Sequence, residues 1–585
     1  MCGIHGFTWG DQHVVSKMVE ESRVRGPDGH GTYVDEGISL GHNLLSIVAD
    51  KYASKQPWIL DDRWVLCYNG EVYNFKDLKR ELRGLGEVFS GKTDTEVMAV
   101  GLRRYGLDFL RKVDGMYAVA WYDKKEKTLL LARDCAGTKP LYWTHTKKGI
   151  VFSSMIRSMF VHDEIERKLD MFGFKVYNRL AYIPGPKTML RGVSKLYPGQ
   201  VLKFEITSGK ILLDTHVHDK IVTSRHPIDY EEFRNNVKQA TKKCLMGHRD
   251  IGMFLSGGLD SSMILHEMSS MGKFKDSIRT YTTIFESYDG HDPLMKTNHV
   301  NSDAMVARIL AKKYKTEHTE MLITKENFLL GYHEYMRAVE EPRGNKHTPV
   351  YYMLNERMAK DGIVVTISGD GGDELLTGYK KHIYYANQPW WPHDLDKIEM
   401  YGPFRDQGGY AWDGDLKEYL YSWFPADCLG DDWMNNQLFV ETLTLLPEDF
   451  LIRNDKLGMN FSMEARFPLT TRSFRKYALS ISSKYKYRKK EEKGLLNMKI
   501  APRDAYRGRM PDEVVNKWKS GWSSPKEYNK SKEVRDHMKF IENKVGDIRE
   551  MCRDKKILKE YGNPYGKCRS VFNMCLWADT FNITV

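Results

Sequence analysis

Three short stretches of this chain combine residue types that can do chemistry. Cys2 follows Met1, so removal of that methionine would leave one residue bearing both a thiol and a free α-amine. A thiol of pKa about 8.5 beside an amine of pKa about 7.7 to 8.0 can exchange a proton near neutrality, which turns a terminal cysteine into a nucleophile with its own base. Far downstream, Ser256-Gly257-Gly258-Leu259-Asp260-Ser261-Ser262 is a glycine turn whose backbone N–H groups can approach an anion. It lacks G-K-[ST], which excludes a Walker A loop. Ser368-Gly369-Asp370-Gly371-Gly372-Asp373-Glu374 repeats the layout. Two acidic turns at neighbouring strand ends can share Mg²⁺, which takes one or two carboxylates plus phosphate oxygens; Asp260 and Asp373 are the expected ligands.

Periodicity indicates the elements that must hold these stretches. Met116 to Tyr122, a polar turn from Asp123 to Lys127, and Thr128 to Ala132 read as a hairpin. Thr93 with Glu96 reads as a capping box opening a helix that stops at Gly106. Turn residues cluster between 184 and 220, and the pattern then changes. Phe233, Val237, Ala240 and Cys244 share a helical face, the strand Ile251 to Leu255 follows, and helix resumes from Ser261; Ile363 to Ile367 is a second strand before the second glycine turn. Such alternation implies a parallel sheet covered by helices, with ligands at the carboxyl ends of its strands. The expected organisation is therefore an α+β unit over residues 1–190, a connecting segment over 191–225 and an α/β unit over 226–585. The aromatic-rich stretch 384–436, including Trp390-Trp391-Pro392, reads as an insertion with its own small core.

Several motifs turn these parts into a recognisable set. Arg25-Gly26-Pro27-Asp28-Gly29, Tyr68-Asn69-Gly70-Glu71, Thr93-Asp94-Thr95-Glu96 and Ala132-Arg133-Asp134 follow Cys2 in order. Alone, Asn69-Gly70 is a turn and Asp94 a helix N-terminal acid. Together they resemble the glutaminase domain of N-terminal-nucleophile amidotransferases. That resemblance implies a four-layer α/β/β/α sandwich in which Cys2 releases ammonia through a γ-glutamyl thioester. It also implies an oxyanion hole from Asn69 and the Gly70 N–H, Glu71 and Asp94 on the substrate's α-amino group, and Arg25, Leu44, Ser46 and Val48 in the glutamine pocket.

The S-G-G-x-D-S loop resembles that of ATP pyrophosphatases. With Ala181-Tyr182-Ile183-Pro184-Gly185-Pro186, Asn454-Asp455-Lys456, Met463-Glu464-Ala465-Arg466-Phe467-Pro468 and Lys499-Ile500-Ala501-Pro502-Arg503, the chain resembles glutamine-dependent asparagine synthetases over nearly its whole length. The resemblance implies an α/β parallel sheet of ATP-pyrophosphatase type with additional helices. It implies that ATP meets Leu255, Ser256, Gly257, Gly258, Asp260, Ser261, Ser262, Thr283, Ser368 and Gly369. Lys499 and Asp370 are then catalytic, with Lys499 stabilising charge on an acyl-adenylate. The expected reaction takes aspartate, glutamine and ATP to asparagine, glutamate, AMP and pyrophosphate, with ATP and Mg²⁺ as cofactors. A homodimer is compatible with the resemblance.

Departures mark where the chain differs. His42-Asn43-Leu44-Leu45-Ser46-Ile47 carries Leu44 where relatives place the arginine that grips glutamine's carboxylate, so Arg25 or Arg23 is expected to substitute and Leu44→Arg to lower KM for glutamine. Thr377-Gly378-Tyr379 and Pro468-Leu469-Thr470-Thr471 depart on the acceptor side, which leaves a sugar acid, a nucleobase or a peptide as alternative acceptors.

Composition bounds the remaining classes. At 585 residues with 41% hydrophobic and 12% aromatic content, the chain is no disordered or collagen-like polymer and has at least two cores. Eight cysteines with no C-x-x-C argue against a disulfide framework or structural zinc and for a reducing, cytoplasmic setting. No stretch approaches the roughly 18 apolar residues of a membrane span. The net charge of +11 is spread thinly and reads first as solvated surface, leaving a nucleic-acid-binding or scaffold role as the competing reading of another class. The dense basic run from Lys484 to Lys490 reads as an exposed loop.

Overall fold

Alternating apolar positions fold the first 216 residues into two six-stranded antiparallel sheets. The computed structural model describes residues 2–48, 55–272, 277–286, 302–345, 347–386, 414–488, 497–517, 532–554 and 568–585. The first sheet is ordered β10 (Ser194–Lys195), β8 (Tyr142–Thr146), β9 (Gly149–Ser153), β1 (Gly3–Phe7), β3 (Ser39–Leu44), β2 (Gly29–Val34). The second is ordered β12 (Ile211–His216), β11 (Gln200–Glu205), β7 (Thr128–Arg133), β6 (Gly115–Asp123), β5 (Trp64–Val72), β4 (Trp58–Leu60). Ile4, Leu40, Val65, Ala118, Leu131 and Phe152 pack between the sheets, so each inward-facing row is buried by the other. The helix Gln12–Glu21 lies on β1 and β3, and the helix Asp94–Tyr105 lies on β4 and β5. The resulting order is helix, sheet, sheet, helix.

The expected hairpin is present, with Asp123 opposite Thr128. Two expectations need correction. Strands β10, β11 and β12 lie in the segment 191–225 read as a connection, yet they belong to the two sheets; β11 pairs with β7 from Val201 opposite Ala132 to Glu205 opposite Thr128. The turn-rich composition reports the tight connections of these edge strands rather than a linker. The capping box at Thr93 is only half formed. Thr93 accepts from the Glu96 N–H at 3.3 Å, but the Glu96 carboxylate turns to the N–H groups of Ser90 (2.6 Å) and Gly91 (2.9 Å) and so pins the preceding loop.

Residues beyond 230 build a parallel sheet ordered β15 (Glu317–Ile323), β14 (Arg279–Phe285), β13 (Ile251–Phe254), β16 (Val365–Ile367), β17 (Glu464–Arg466). The chain runs outward from β13 to β15, then returns to β16 on the other side of β13. That reversal is a topological switch point, where the loops at the carboxyl ends of adjacent strands diverge and leave a crevice. The loops after β13 and β16 are the two glycine turns. They meet because Met253 lies opposite Ile367.

The aromatic-rich stretch is also corrected in its described part. Leu420, Trp423, Phe424, Cys428 and Met434 join the main core cluster instead of forming one of their own, while residues 387–413, including Trp390-Trp391-Pro392, lie outside the described residues. The basic run is not simply an exposed loop. Lys486 and Tyr487 are buried, and Lys486 Nζ donates to Asn435 Oδ1 at 2.6 Å, while Lys489 and Lys490 lie outside the described residues. No helix among the described residues is long and apolar enough to cross a membrane.

Candidate active site

Cys2 immediately precedes β1, an interior strand of its sheet, and is buried. Its N–H donates to Asn69 Oδ1 at 3.0 Å, which turns the Asn69 amide so that Nδ2 is buried with no hydrogen-bond partner. An orphaned donor beside a thiol is an arrangement that can hold a developing oxyanion. Gly70 follows on β5, where a Cβ would meet Met116 O at 2.1 Å, so only glycine permits the approach of β6. Burial pushes the Cys2 thiol up to about 11, opposed by the charge of the N-terminal amine and by the Leu45 N–H. The thiol therefore needs a base close at hand to react near neutrality.

Glu71 and Asp94 lie beyond. Asp94 Oδ2 accepts from the Tyr68 hydroxyl (3.0 Å) and the Val72 N–H (3.1 Å); burial raises its pKa against these bonds. Glu71 is raised well above the usual carboxylate range by burial and by Glu464 and Asp94. Its Oε1 lies 3.4 Å from Arg466 Nη2, and its Oε2 is buried with no hydrogen-bond partner.

The second cluster occupies the crevice at the switch point, a cavity of about 340 Å³. Gly257 has φ of +67°, and a Cβ there would meet Asp303 O at 2.2 Å, which is why the turn tolerates only glycine. Ser261 Oγ and Ser262 Oγ both donate to Gly258 O, at 3.1 and 2.7 Å, folding the loop onto the start of the helix Leu259–Ser270. Lys499, in the left-handed region at φ of +55°, projects its amine between Asp260 and Asp373; it bonds Asp260 Oδ2 and lies 2.5 Å from Asp373 Oδ1. Asp260 Oδ1 is buried with no hydrogen-bond partner. Asp370 Oδ2 accepts from Ser368 Oγ (2.5 Å) and Asn454 Nδ2 (2.8 Å), with its pKa raised by burial and lowered by Arg453. Burial and Asp373 raise Glu374 to about 8.

One short helix, Ile452–Met459, joins the two clusters. Asp455 Oδ2 accepts from Arg25 Nη2 at 2.9 Å and Asp455 Oδ1 from Lys139 Nζ at 3.3 Å, while Arg25 Nε donates to the Cys2 carbonyl at 3.1 Å. Its neighbours Asn454 and Arg453 face the crevice at the switch point, through Asp370 and as a lining residue respectively. On β17, Arg466 reaches Glu71 while its carbonyl accepts from the Ser368 N–H at 3.1 Å. Three consecutive side chains and one strand thus span from Cys2 to the glycine turn.

The structure brings most expected residues together. Leu255, Ser256, Gly258, Asp260, Ser261, Thr283, Ser368, Gly369, Asp370, Asp373 and Lys499 line one cavity. Gly257 and Ser262 do not line it: the first serves the turn by its conformation, the second is wholly buried on Gly258 O. Arg25 is corrected as a carboxylate grip, because Cys2 O and Asp455 already engage its guanidinium. Arg23 is exposed beside Glu20. Leu44 is buried on β3; the cation by the loop that follows it is Arg249, whose Nη1 lies 3.4 Å from both Asp28 Oδ2 and Ser46 O. Val48 packs partly buried beside the core. Sequence reasoning missed that Arg453 and Glu374 line the crevice and that Arg249 lies by Asp28 and Ser46. The quoted run Asn454-Asp455-Lys456 carried a signal, since charged residues in an otherwise buried helix demand partners.

Comparison with known proteins places the chain in a family. Residues 1–214 match the model of a glutamine amidotransferase domain, and residues 232–571 match that of asparagine synthase. Among curated relatives, asparagine synthetase [glutamine-hydrolyzing] 3 of Bacillus subtilis (strain 168) is 25% identical over 594 residues, covering 96% of this chain and 93% of that protein. Asparagine synthetase [glutamine-hydrolyzing] 1 of the same organism is 27% identical over 617 residues, covering 96% and 92%. Putative asparagine synthetase [glutamine-hydrolyzing] 2 of Methanocaldococcus jannaschii is 28% identical over 414 residues, covering 66% and 76%. With the asparagine synthase model spanning more than half of its length behind a glutamine amidotransferase domain, the chain belongs to the asparagine synthase family.

Proposed function

We propose that the protein makes asparagine from aspartate and ATP with nitrogen taken from glutamine. The observation that carries this reading is the meeting of the two glycine turns around Lys499 at the switch point, joined by one helix to a buried amino-terminal cysteine. The first 217 residues or so read as the glutaminase unit of N-terminal-nucleophile type, and residues from Tyr230 onward as the synthetase unit of ATP-pyrophosphatase type.

In the first unit, with Met1 removed, the Cys2 amine takes the thiol proton and sulfur attacks the glutamine side-chain carbonyl. Asn69 Nδ2 and the Gly70 N–H hold the oxyanion, the C–N bond breaks with the proton returned to nitrogen, and water then frees glutamate from the thioester. Glu71 and Asp94 hold the α-amine, with Ser46 and Val48 along the pocket. Arg249, whose longer contacts of 3.4 Å and 32% exposure leave it freer to turn than Arg25, is the cation offered in place of the arginine absent at Leu44.

In the second unit, the aspartate side-chain carboxylate oxygen attacks the α-phosphorus of ATP and pyrophosphate leaves. Ammonia then attacks the activated carbonyl, AMP departs with the phosphate–carboxyl oxygen, and Asp370 accepts the surplus proton. The loop N–H groups and Lys499 stabilise charge on the phosphates, the adenine rests by Leu255 and Thr283, and the chemistry depends on positioning. The partnerless Asp260 Oδ1 with Asp373 fits Mg²⁺, which would neutralise phosphate charge. The test is aspartate-dependent pyrophosphate release with either glutamine or ammonium. Release without aspartate, or none with it, overturns the reading.

A further inference from the structure

Among the described residues, Arg453 is a buried cation with nothing to neutralise it at contact distance. It is 1% exposed, it lines the crevice, and its Nε and Nη1 are buried with no hydrogen-bond partner. Among the described residues no carboxylate lies within ion-pair distance of it, although every other wholly buried arginine reaches one: Arg25 on Asp455, Arg133 on Glu448, Arg466 on Glu464. Two rings hold the guanidinium in place, with its central carbon 4.2 Å from the Tyr351 centroid and 5.3 Å from that of Phe450. Asp370 and Asp449 act on it only through space.

An arginine fixed by rings and desolvated without a partner is poised for a ligand anion, because leaving such a charge unpaired is expensive. Its position distinguishes the candidates. It lies in the helix Ile452–Met459 that leads to Cys2, beside Asn454, whose amide bonds Asp370 on the β16 turn, whereas the phosphate loop and Asp260 follow β13. Its planar fork suits a carboxylate.

We infer that Arg453 binds the acceptor's second carboxylate, the one that is not adenylated, and so restricts this crevice to acids carrying two carboxylates. This rests on the adenylation reading above. In this arrangement Arg453 anchors the α-carboxylate of aspartate and leaves its side-chain carboxylate directed at the α-phosphorus.

The test is acid-dependent exchange of labelled pyrophosphate into ATP by the full chain with MgATP. The acids are aspartate and β-alanine, which keeps the reacting carboxylate and lacks the other. We expect wild type to favour aspartate at least 100-fold in kcat/KM. Arg453→Met should raise KM for aspartate roughly 100-fold, leave KM for ATP and the β-alanine values within about twofold, and so erase the preference. Arg453→Lys should recover part of it as a point charge without the fork. A folded Arg453→Met enzyme with unchanged KM for aspartate, or with its loss in KM for ATP, overturns the assignment. Should that variant fail to fold, wild type decides, since equal use of β-alanine overturns the inference alone. No exchange with any carboxylic acid overturns the adenylation reading and this inference with it.

Discussion

Asp455→Asn removes one negative charge and almost no volume from the junction between the two units. In the native protein Asp455 is wholly buried and neutralises two cations at once, Arg25 at 2.9 Å and Lys139 at 3.3 Å, which are 1% and 0% exposed. Burial already drives the Lys139 pKa down, against the pull of Asp455. Breaking a buried pair from one side costs about 3–5 kcal/mol, because the remaining charge has neither water nor a partner. Asparagine keeps one acceptor and does not restore the charge. Denaturant titration followed by intrinsic fluorescence should therefore show the transition that separates the units weakened by about 3–5 kcal/mol. The same substitution loosens Arg25 from the Cys2 carbonyl, so glutamine-dependent synthesis should fall on the order of tenfold while ammonia-dependent synthesis stays within about twofold. A variant within about 0.5 kcal/mol of wild type would refute the claim that this ion triad holds the junction.

Lys499→Ala should abolish synthesis with either nitrogen source, by at least about 100-fold, since its amine is the cation shared by Asp260 and Asp373; residual glutaminase activity shows that the variant folds. Arg249→Met should raise KM for glutamine about tenfold with ammonia-dependent kcat unchanged, and Leu44→Arg in that background should recover it. Stability should also fall in acid. Burial pushes Glu441 up, but Lys381 at 2.8 Å and His382 at 3.1 Å outweigh it and hold the carboxyl at about 2. A folded pKa below the unfolded one means stabilisation present above about pH 4.5 and lost as pH falls towards 2, worth at most about 3 kcal/mol. Glu441→Gln should flatten that part of the pH–stability curve; an unchanged curve would assign the acid loss elsewhere.

Local pattern revealed what local physics determines. The hairpin from Met116 to Ala132 and the helix carrying Phe233, Val237, Ala240 and Cys244 follow from periods of two and 3.6 residues, and the glycine turns from residues that only those turns accept. Motif order named most of the residues that the structure gathers around Cys2 and around Lys499. What stayed hidden depends on pairings far apart in the chain: Arg25 and Asp455 are separated by 430 positions, and nothing near Arg25 says that its charge is already taken. Lys486 looked like surface in a basic run, but the hydroxyl of Thr377 on its carbonyl and Asn435 on its amine draw it inside. Arg453 was silent for the opposite reason, since its significance is the lack of a protein partner.

The most direct test of the account compares Cys2→Ala with wild type for asparagine formed per pyrophosphate released, using glutamine in one arm and ammonium in the other. The variant should match wild type on ammonium and form no asparagine from glutamine. Asparagine formed from glutamine by that variant would contradict the division of labour between an amino-terminal thiol and a nucleotide crevice.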